Sequence, residues 1–372
     1  MVIVLAIAGL LGAVGLLAGG LMFLRFPSPP AADLPSTSLL VSVIIPARNE
    51  EQRIVPLLKS LAKQTGINFE MIVVDDDSED QTAKIAESYG ALVIRNLSPE
   101  DGWIGKSAAC WAGVQAARGD LLLFMDADTE FQENTSLLKY VSSYEQLGGT
   151  GIVSLQPYHR VVSWYENAAA LFPLIAVVGM NVFSAFSGRF SSAGSFGPCL
   201  LCRREEYEQA GGHAGVRGHV MDDLALGRKF QEAGYPVHCY SGKGLVTLRM
   251  YSEGAGQMVE SLTKSFATGA SFTAPAVMLL INLWMAGGLA IAFMLPASFF
   301  VQNSVWYIIS FVLYFGFAAT FALFARRIGS FNIWMFLFYP IHLLLFTLIF
   351  LRSAYLGKVR KRVSWRGRDI HV

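Results

Sequence analysis

The chain contains only four cysteines in 372 residues, and two kinds of glycine-rich motif are missing. Four irregularly spaced cysteines give no disulfide framework, and Cys199-x-x-Cys202 lacks the second pair that a structural zinc site needs. No G-x-G-x-x-G follows the first apolar run, and no G-x-x-x-x-G-K-[ST] occurs anywhere. These absences disfavour a disulfide-rich scaffold, a zinc module, a dinucleotide dehydrogenase and a P-loop ATPase.

Charge is missing from three long stretches of the chain, residues 1–24, 265–325 and 331–351. Stretches of about 20 apolar residues are long enough to cross a bilayer as helices. The first stretch has no basic segment before it and a long apolar core, which favours an uncleaved anchor over a secretory signal. The sequence therefore predicts a transmembrane anchor at 1–24, a globular domain at 25–264, about three transmembrane segments at 265–351 and a basic tail at 352–372.

The formal net charge of +1 conceals an uneven distribution along the chain. Nine basic residues and one acidic residue follow position 273, so the remainder of the chain is acidic. A basic tail next to an apolar segment is typical of contact with lipid headgroups and of a topology signal. The basic residues are not interleaved with aromatic ones, so the predicted partner is the lipid bilayer and not a nucleic acid.

Short apolar runs alternate with helical patterns in the first part of the predicted domain. The runs cover residues 41–45, 69–74, 91–94 and 121–125. Strands that alternate with helices form parallel βαβ units with right-handed crossovers. The predicted fold class is therefore α/β, with a Rossmann-like, mainly parallel sheet and transmembrane helices at both ends of the chain. Polar residues follow three of the runs and should meet at the sheet edge where ligands of open α/β sheets bind.

Asp126 and Asp128 follow directly after the apolar run that ends at Met125. Two carboxylates one residue apart suit Mg²⁺ or Mn²⁺ that arrives on a diphosphate. An isolated Asp-x-Asp pair is common in surface turns, so its meaning depends on the neighbouring motifs. Acidic strand ends, in place of glycine-rich ones, indicate a nucleotide held by its base and ribose with its diphosphate on the metal.

Four motifs in this order, at residues 44–50, 73–78, 105–106 and 126–128, resemble those of the family 2 glycosyltransferases, which are nucleotide-sugar enzymes with a GT-A fold. The resemblance extends over about residues 41–250. It implies a UDP-sugar donor and the following roles: the uridine is framed by Pro46, Ala47 and Glu50, and the base and ribose are held by Asp75 and Asp76. It further implies that the diphosphate is approached by Lys106, the ribose or sugar by Asp126, and the metal by Asp128 together with Asp126.

Asp222 and Asp223 resemble the Glu-Asp segment that supplies the catalytic base of this family. Asp223 falls on the base position, and Asp222 replaces the usual glutamate. The alternative interpretation is a helix N-terminus, where acidic residues are favoured by capping and by the helix dipole. Both interpretations can hold together.

The Gln-x-x-Arg-Trp motif of processive synthases is absent, and Arg249-Met250-Tyr251 occupies its region. This absence indicates transfer of a single sugar. Several segments most resemble the branch of the family that glycosylates carotenoid acids, which implies UDP-glucose and a lipidic acceptor. A ceramide acceptor stays open, as does a non-catalytic nucleotide-sugar binder. A polyprenyl phosphate acceptor would need cationic partners, for which the candidates are Arg189, Arg203, Arg204 and Arg217.

The uncharged stretch at 167–188 would separate Asp126 and Asp128 from Asp223 if it crossed a bilayer. One active site needs all three on the same side, so we interpret the stretch as an interfacial helix pair, with a core helix as the alternative. Because nucleotide sugars are cytosolic, the expected location is the cell membrane, as a multi-pass protein with a cytosolic catalytic domain. Three C-terminal crossings would leave the basic tail outside, against the positive-inside rule. The sequence therefore leaves open whether residues 331–351 cross the membrane.

Overall fold

The computed structural model describes residues 1–31, 39–95, 103, 106–219, 221–301, 303–356, 362–365 and 368–371, with backbone only at 264–268 and beyond 361. This description therefore does not include Gly105, the side chain of Lys264 or most of the predicted basic tail. The strands are β1 (Val41–Ala47), β2 (Phe69–Asp75), β3 (Leu92–Arg95), β4 (Leu121–Met125), β5 (Thr129–Phe131), β6 (Ile152–Gln156), β7 (Tyr158–His159), β8 (Cys199–Arg203), β9 (Val237–Ser241), β10 (Val246–Leu248), β11 (Arg362–Trp365) and β12 (Arg368–His371).

Seven strands form one sheet in the order β3-β2-β1-β4-β8-β6-β9. The first four are parallel, as the alternation of strands and helices predicted, and β8 is antiparallel to both of its neighbours. A second sheet has the order β5-β10-β7, and β11 pairs with β12. The predicted mainly parallel α/β fold is confirmed. All four parallel strands end at one edge of the sheet, which is where the acidic motifs lie.

The helices supply the layers around the sheet and a separate apolar bundle. They are α1 (Val2–Met22), α2 (Ile54–Leu61), α3 (Thr82–Ser88), α4 (Ser107–Ala116), α5 (Ser136–Gln146), α6 (Leu171–Gly179), α7 (Arg204–Gln209), α8 (Asp222–Glu232), α9 (Ala255–Ala270), α10 (Pro275–Ser298), α11 (Ser304–Ile328) and α12 (Tyr339–Tyr355). Short 3-10 helices form at Trp164–Ala169, His213–Val216 and Ile333–Phe338. Helix α9 crosses the expected domain boundary at residue 264 and leads directly to α10.

Among the described residues, four helical stretches are long and apolar enough to cross a membrane, namely Val2–Met22, Pro275–Ser298, Ser304–Ile328 and Ile333–Tyr355. The first two pack closely against each other. A Cβ atom on Gly15 would lie 2.7 Å from the Cα atom of Gly287, and one on Gly19 would lie 2.5 Å from the Trp284 ring. Small residues at such spacings let two membrane helices approach at backbone distance. The two helices are antiparallel, since Gly15 contacts Gly287 whereas the later Gly19 contacts the earlier Trp284.

The fourth apolar stretch starts beside the sheet domain, and α12 then packs against α6 and α9. The backbone N–H of Asn332 donates to the side-chain oxygen of Asn167 over 2.8 Å. The Tyr339 hydroxyl then donates to the Gly288 carbonyl, near the middle of α10, over 3.2 Å. Farther along α12, the Phe346 ring lies 4.9 Å from the ring of Phe172 in α6. Helix α12 also packs along α9, and so does β11.

Helix α6 lies inside the uncharged stretch at 167–188 and spans only nine residues. Its side chains are almost all buried, and they pack against α9, α10, α11 and α12. Pro173 stands in the first turn of α6, where a proline is tolerated because the first N–H groups have no partner inside the helix. The stretch is therefore a short helix between the sheet domain and the apolar bundle.

Candidate active site

The carboxyl ends of β1 and β2 bring four of the predicted nucleotide-binding residues together. Ala47 lies opposite Asp75 in the strand register, and the backbone N–H of Asp76 donates to the Ala47 carbonyl over 2.8 Å. Pro46 is next to them on β1. Arg48, which the sequence analysis did not select, donates to the Asp76 carbonyl over 2.8 Å and fixes this corner. The side chains of Asp75 and Asp76 are almost completely buried in this corner.

Asp126 and Asp128 form the turn between β4 and β5. The backbone N–H of Asp126 donates to the Pro198 carbonyl over 3.1 Å, because β8 is antiparallel to β4. The Asp128 carbonyl accepts from the backbone N–H of Arg249 over 3.1 Å. Both backbone bonds anchor the turn to neighbouring elements, so the two carboxylates have fixed positions at the sheet edge.

Glu50 joins this acidic cluster. Burial raises its pKa to about 8, Arg53 opposes that rise, and the charge of Asp126 adds to it. The Arg53 guanidinium lies 2.7 Å from the Glu50 carboxylate, at a spacing of three residues. Burial, followed by the charges of Asp126 and Glu50, raises the pKa of Asp128 well above its usual range. Three carboxylates therefore repel one another here.

Such a cluster fits a divalent cation. Across the described residues, no group of three or more histidine, cysteine or acidic side chains converges on a point as a complete protein cage would. Mg²⁺ and Mn²⁺ that arrive on a diphosphate need only one or two carboxylates, since phosphate and water oxygens fill the other positions. Asp126 and Asp128 could supply these ligands, and a bound cation would relieve the repulsion that raises the pKa of Asp128.

Lys106 connects the acidic turn to α8. Its Nζ atom lies 3.0 Å from the Asp126 carboxylate and 3.2 Å from that of Asp223. Burial alone would lower the pKa of Lys106, but the charges of Asp126 and Asp223 outweigh it and raise this pKa well above its usual range. The side chain therefore carries a fixed positive charge between the two acids, where it can bind an anionic leaving group.

Asp223 lies in the first turn of α8, and the backbone before β8 is shaped around its carboxylate. A Cβ atom on Gly197 would lie 1.8 Å from the Asp223 carboxylate, so only glycine fits there. The Ser195 hydroxyl donates to the Asp223 carbonyl over 2.7 Å. The helix N-terminus favours the ionised acid, so the capping interpretation and the predicted base position are compatible.

We expect Gly197→Ala to displace the Asp223 carboxylate and to remove its ion pair with Lys106. Turnover of a hydroxyl-bearing acceptor should fall by about 10²-fold or more, as expected when a general base leaves its position. The measurement is the transfer rate of the purified full-length protein, with Gly256→Ala as control, because that glycine has open space around its Cβ position and, like Gly197, no positive φ. Near-normal turnover of Gly197→Ala would show that this close contact is unimportant.

Asp222 is buried at the start of α8 and does not share the position of its neighbour. It lies close enough to raise the pKa of Lys106, after the larger contributions of Asp126 and Asp223. Asp223, in contrast, lines both the small cavity beneath Lys106 and a large apolar cavity. Of the two acids predicted to be catalytic, only Asp223 therefore faces space that a substrate could occupy.

The large cavity has a volume of about 500 Å³, which is in the range of ligand sites. It begins at Asp223 and extends between α6, α10 and α12 into the apolar bundle. Its lining includes Leu289 and Leu351, whose side chains are exposed. A lysine or arginine is not found among its described lining residues. The cavity therefore suits a long apolar molecule with its polar end at Asp223.

None of the four arginines considered as phosphate partners borders the large cavity, and two of them lie at the opposite edge of the sheet. Arg203 pairs with Leu121 at the start of β4, the sheet edge opposite to Asp126, and its guanidinium lies 3.2 Å from Glu145. Arg204 donates to the Gly119 carbonyl at the same edge over 3.0 Å. Neither borders the large cavity.

Comparisons with known proteins agree with this arrangement. The model of glycosyl transferase family 2 matches residues 42–209. The chain is 36% identical over 356 residues to the 4,4'-diaponeurosporenoate glycosyltransferase of Staphylococcus aureus (strain USA300), covering 95% of this chain and 94% of that protein. It is 38% identical over 338 residues to the protein of the same name in Staphylococcus haemolyticus (strain JCSC1435), covering 90% of each. The chain belongs to the family 2 glycosyltransferases.

The fold has a counterpart among solved structures of the GT-A type. The mannosyltransferase PcManGT from Pyrobaculum calidifontis, solved in complex with GDP-Man and Mn²⁺, superimposes with a TM-score of 0.57 at 19% identity. The match covers 96% of this chain and 99% of that one, so it includes the apolar helices as well as the sheet. At this identity the likeness concerns the fold, and it confirms the predicted GT-A architecture.

In this family 2 glycosyltransferase, an ion pair that the sequence did not reveal connects the acidic turn to the apolar helices. The Arg249 guanidinium donates to the buried Glu166 carboxylate over 3.1 Å, and the other Glu166 oxygen accepts the backbone N–H of Ser163 and caps the Trp164–Ala169 helix. The Tyr165 hydroxyl donates to the Tyr251 carbonyl over 2.7 Å. Residues 249–251 thus contact both the Asp128 turn and the wall of the large cavity.

Proposed function

We propose that this glycosyltransferase moves a single glucose from UDP-glucose to a lipidic acceptor, a carotenoid carboxylic acid, with inversion at the anomeric carbon. The large apolar cavity that ends at Asp223 is the observation that carries the proposal. A polyprenyl phosphate is disfavoured because the described cavity lining offers no cationic side chain. The names of the two staphylococcal relatives support the acceptor class. UDP-glucose rests on the resemblance alone.

The donor would bind along the carboxyl edge of the parallel strands. In this proposal, Pro46, Ala47 and Glu50 frame the uracil, and Asp75 and Asp76 hold the base and ribose. Glu50 also adds its charge to the acidic cluster around Asp128. Lys106 would then face the diphosphate, because its Nζ atom lies between the sheet edge and α8.

Asp126 and Asp128 would hold Mg²⁺ or Mn²⁺, which supplies charge stabilisation for the leaving diphosphate. The fixed ammonium of Lys106 adds to that stabilisation at the same oxygen atoms. The Gly197 backbone keeps space open in front of Asp223, so the acceptor can reach the sugar from the cavity side.

Transfer would occur in one displacement. An acceptor oxygen at the mouth of the cavity attacks the anomeric carbon, the bond from that carbon to the β-phosphate oxygen breaks, and UDP leaves. A hydroxyl acceptor gives its proton to the Asp223 carboxylate. A carboxylic acceptor is already ionised at neutral pH, since its pKa is about 4. Attack from the face opposite to the diphosphate inverts the anomeric configuration.

The test is UDP release by the purified full-length protein with Mn²⁺, using UDP-glucose, UDP-galactose and GDP-mannose in turn. Each donor is combined with a carotenoid carboxylic acid, ceramide or polyprenyl phosphate. We expect stimulated release only with UDP-glucose and the carotenoid acid. Stimulation by another lipid would reassign the acceptor, and donor binding with no release under any condition would contradict transfer.

Ala176→Trp is the matched variant for the acceptor cavity. Ala176 lines that cavity, and the indole ring should obstruct it. We expect the acceptor KM to rise about tenfold or more, while donor binding stays unchanged, because the donor residues lie on the other side of Asp223. An unchanged acceptor KM would contradict the assignment of this cavity.

We further propose that the protein is a multi-pass protein of the cell membrane with a cytosolic catalytic domain. In this proposal α1, α10 and α11 cross the bilayer, and the stretch from Ile333 to Tyr355 enters it and returns. Its contacts with the domain at both ends and with Gly288 in the middle support this path. The loop at 299–303 carries no charge, whereas Arg25, Arg326, Arg327, Arg352 and the basic tail all fall on the domain side, as the positive-inside rule requires.

Cysteine labelling tests this topology on the full-length protein. The four native cysteines are buried, so an introduced one reports its own position. With a membrane-impermeant maleimide on intact cells, Phe300→Cys should react. Tyr355→Cys should react only after the cells are permeabilised, since both side chains are exposed but lie on opposite sides. Reaction of Tyr355→Cys in intact cells would mean that the fourth stretch crosses.

A further inference from the structure

His213 follows two glycines and carries a ring whose hydrogen bonding is defined by Tyr207. The backbone N–H of His213 donates to the Tyr207 hydroxyl oxygen over 2.9 Å, and the same hydroxyl lies 2.8 Å from the His213 Nδ1 atom. Tyr207 is completely buried, and within the described chain Nδ1 is the acceptor available to its single hydroxyl proton. Nδ1 therefore accepts, and the imidazole proton must be on Nε2.

The surroundings fix this arrangement. A Cβ atom on Gly212 would lie 2.5 Å from the Tyr207 ring, so the glycine lets the two side chains meet. The imidazole packs 4.9 Å from the Phe124 ring of β4. Burial, and then the charge of Lys106, lowers the pKa of His213 to about 3. The ring is thus a neutral, oriented hydrogen-bond donor at physiological pH.

His213 borders a small cavity of about 10 Å³ next to Lys106, which has a mixed polar and apolar lining. That volume is about what one water molecule needs, and a buried water needs two to four polar partners. The same cavity is lined by Lys106, Asp126 and Asp223. With the His213 ring, the wall offers two donors and two carboxylate acceptors, which matches the four hydrogen bonds of water.

We propose that His213 is a positioning residue of the transferase, which donates from Nε2 to one buried water that also contacts Lys106, Asp126 and Asp223. The water accepts from His213 and Lys106 and donates to the two carboxylates. This network would hold the ammonium and the base at fixed positions relative to each other. The neutral ring adds no second positive charge to compete with Lys106. The inference rests on the proposed function, because it assigns roles to Lys106 and Asp223.

The activity test uses two variants of nearly the same length and volume, His213→Gln and His213→Met, of which only the glutamine can donate a hydrogen bond. We expect His213→Met to lower kcat about tenfold, as loss of a hydrogen bond within a charged network does, with the donor KM within about twofold of wild type. His213→Gln should stay within about threefold of wild type. His238→Gln, at a half-buried position of β9 away from the cavity, is the matched control. Equal losses in His213→Gln and His213→Met, or a loss in donor KM alone, would overturn the proposal.

A spectroscopic readout does not depend on activity. Nitrogen NMR of protein labelled at its six histidines, with His213 assigned by its absence from His213→Gln, should show a neutral ring protonated at Nε2 from pH 5 to 8. In Tyr207→Phe both tautomers should appear. A protonated Nδ1 in the wild type would overturn the proposal. If the wild type transfers no sugar to any acceptor, the proposed function fails. The NMR measurement of the tautomer still tests the hydrogen bonding of His213 in that case.

Discussion

Asp223→Asn should lower the turnover of a hydroxyl-bearing acceptor by about 10²–10⁴-fold, which is the usual contribution of a general base. Turnover of a carboxylic acceptor should stay within about tenfold of wild type, because that acceptor has already lost its proton at neutral pH. The substitution keeps the shape of the side chain next to Gly197 and removes the charge that faces Lys106. Single-turnover rates with matched acid and alcohol acceptors measure the difference.

Asp222→Asn is the control for this prediction, since it removes a charge from the same turn of α8 without facing the large cavity. The loss of turnover in Asp222→Asn should not depend on whether the acceptor is an acid or an alcohol. A large and equal loss with both acceptors in Asp223→Asn would mean that the carboxylate acts on the donor or on Lys106. If the wild type used acid and alcohol acceptors at equal rates and Asp223→Asn lost no activity, Asp223 would have no role in the reaction.

The strand ends of the site could be predicted from sequence because of a simple geometric rule. Parallel strands end at a common edge, so the residues after β1, β2 and β4 had to meet there. Pro46, Asp75 and Asp126 do so. The clustering required only the alternation of strands and helices, which depends on local apolar patterns. The family motifs then supplied the roles that geometry alone leaves open.

Other parts of the site depend on contacts that no local pattern encodes. Strand β8 runs antiparallel to β4 with Cys199 opposite Met125, so Gly197 arrives beside the Asp126 turn. The sequence analysis did not single out this glycine, because its contact with Asp223 depends on where α8 packs. Arg53 could have been noticed three residues after Glu50, but its value as a counter-charge depends on burial.

The large cavity was also beyond sequence reasoning, although its components were predicted. The uncharged stretches indicated membrane helices, and residues 167–188 indicated an interfacial segment. Their packing around a common space depends on the position of α12 beside α6, where the tilted rings of Phe346 and Phe172 lie 4.9 Å apart. Hydropathy gives the same signal for a segment that crosses and for one that enters and returns, since it contains no information about the partner.

Asp128→Ala should lower kcat/KM by about 10²–10³-fold, as expected when charge stabilisation of the leaving group is lost. The variant should also need a higher Mn²⁺ concentration for half-maximal activity, because one of the two proposed ligands is missing. The affected step is donor activation, so acid and alcohol acceptors should suffer equally, in contrast to Asp223→Asn. Titration of Mn²⁺ and Mg²⁺ against transfer rate, after removal of metal by a chelator, measures both effects.

Asp120→Ala is the matched control, because Asp120 directly precedes β4, whereas Asp126 and Asp128 follow its other end. This exposed carboxylate lies at the opposite edge of the sheet, so its loss should leave the metal dependence unchanged. The acidic cluster offers a second measurement. Since burial, and then repulsion by Asp126 and Glu50, raises the pKa of Asp128, removal of this carboxyl group should stabilise the metal-free protein against heat, while added Mn²⁺ should stabilise the wild type more than the variant. A variant that keeps wild-type activity and Mn²⁺ stabilisation would show that the cation is held elsewhere.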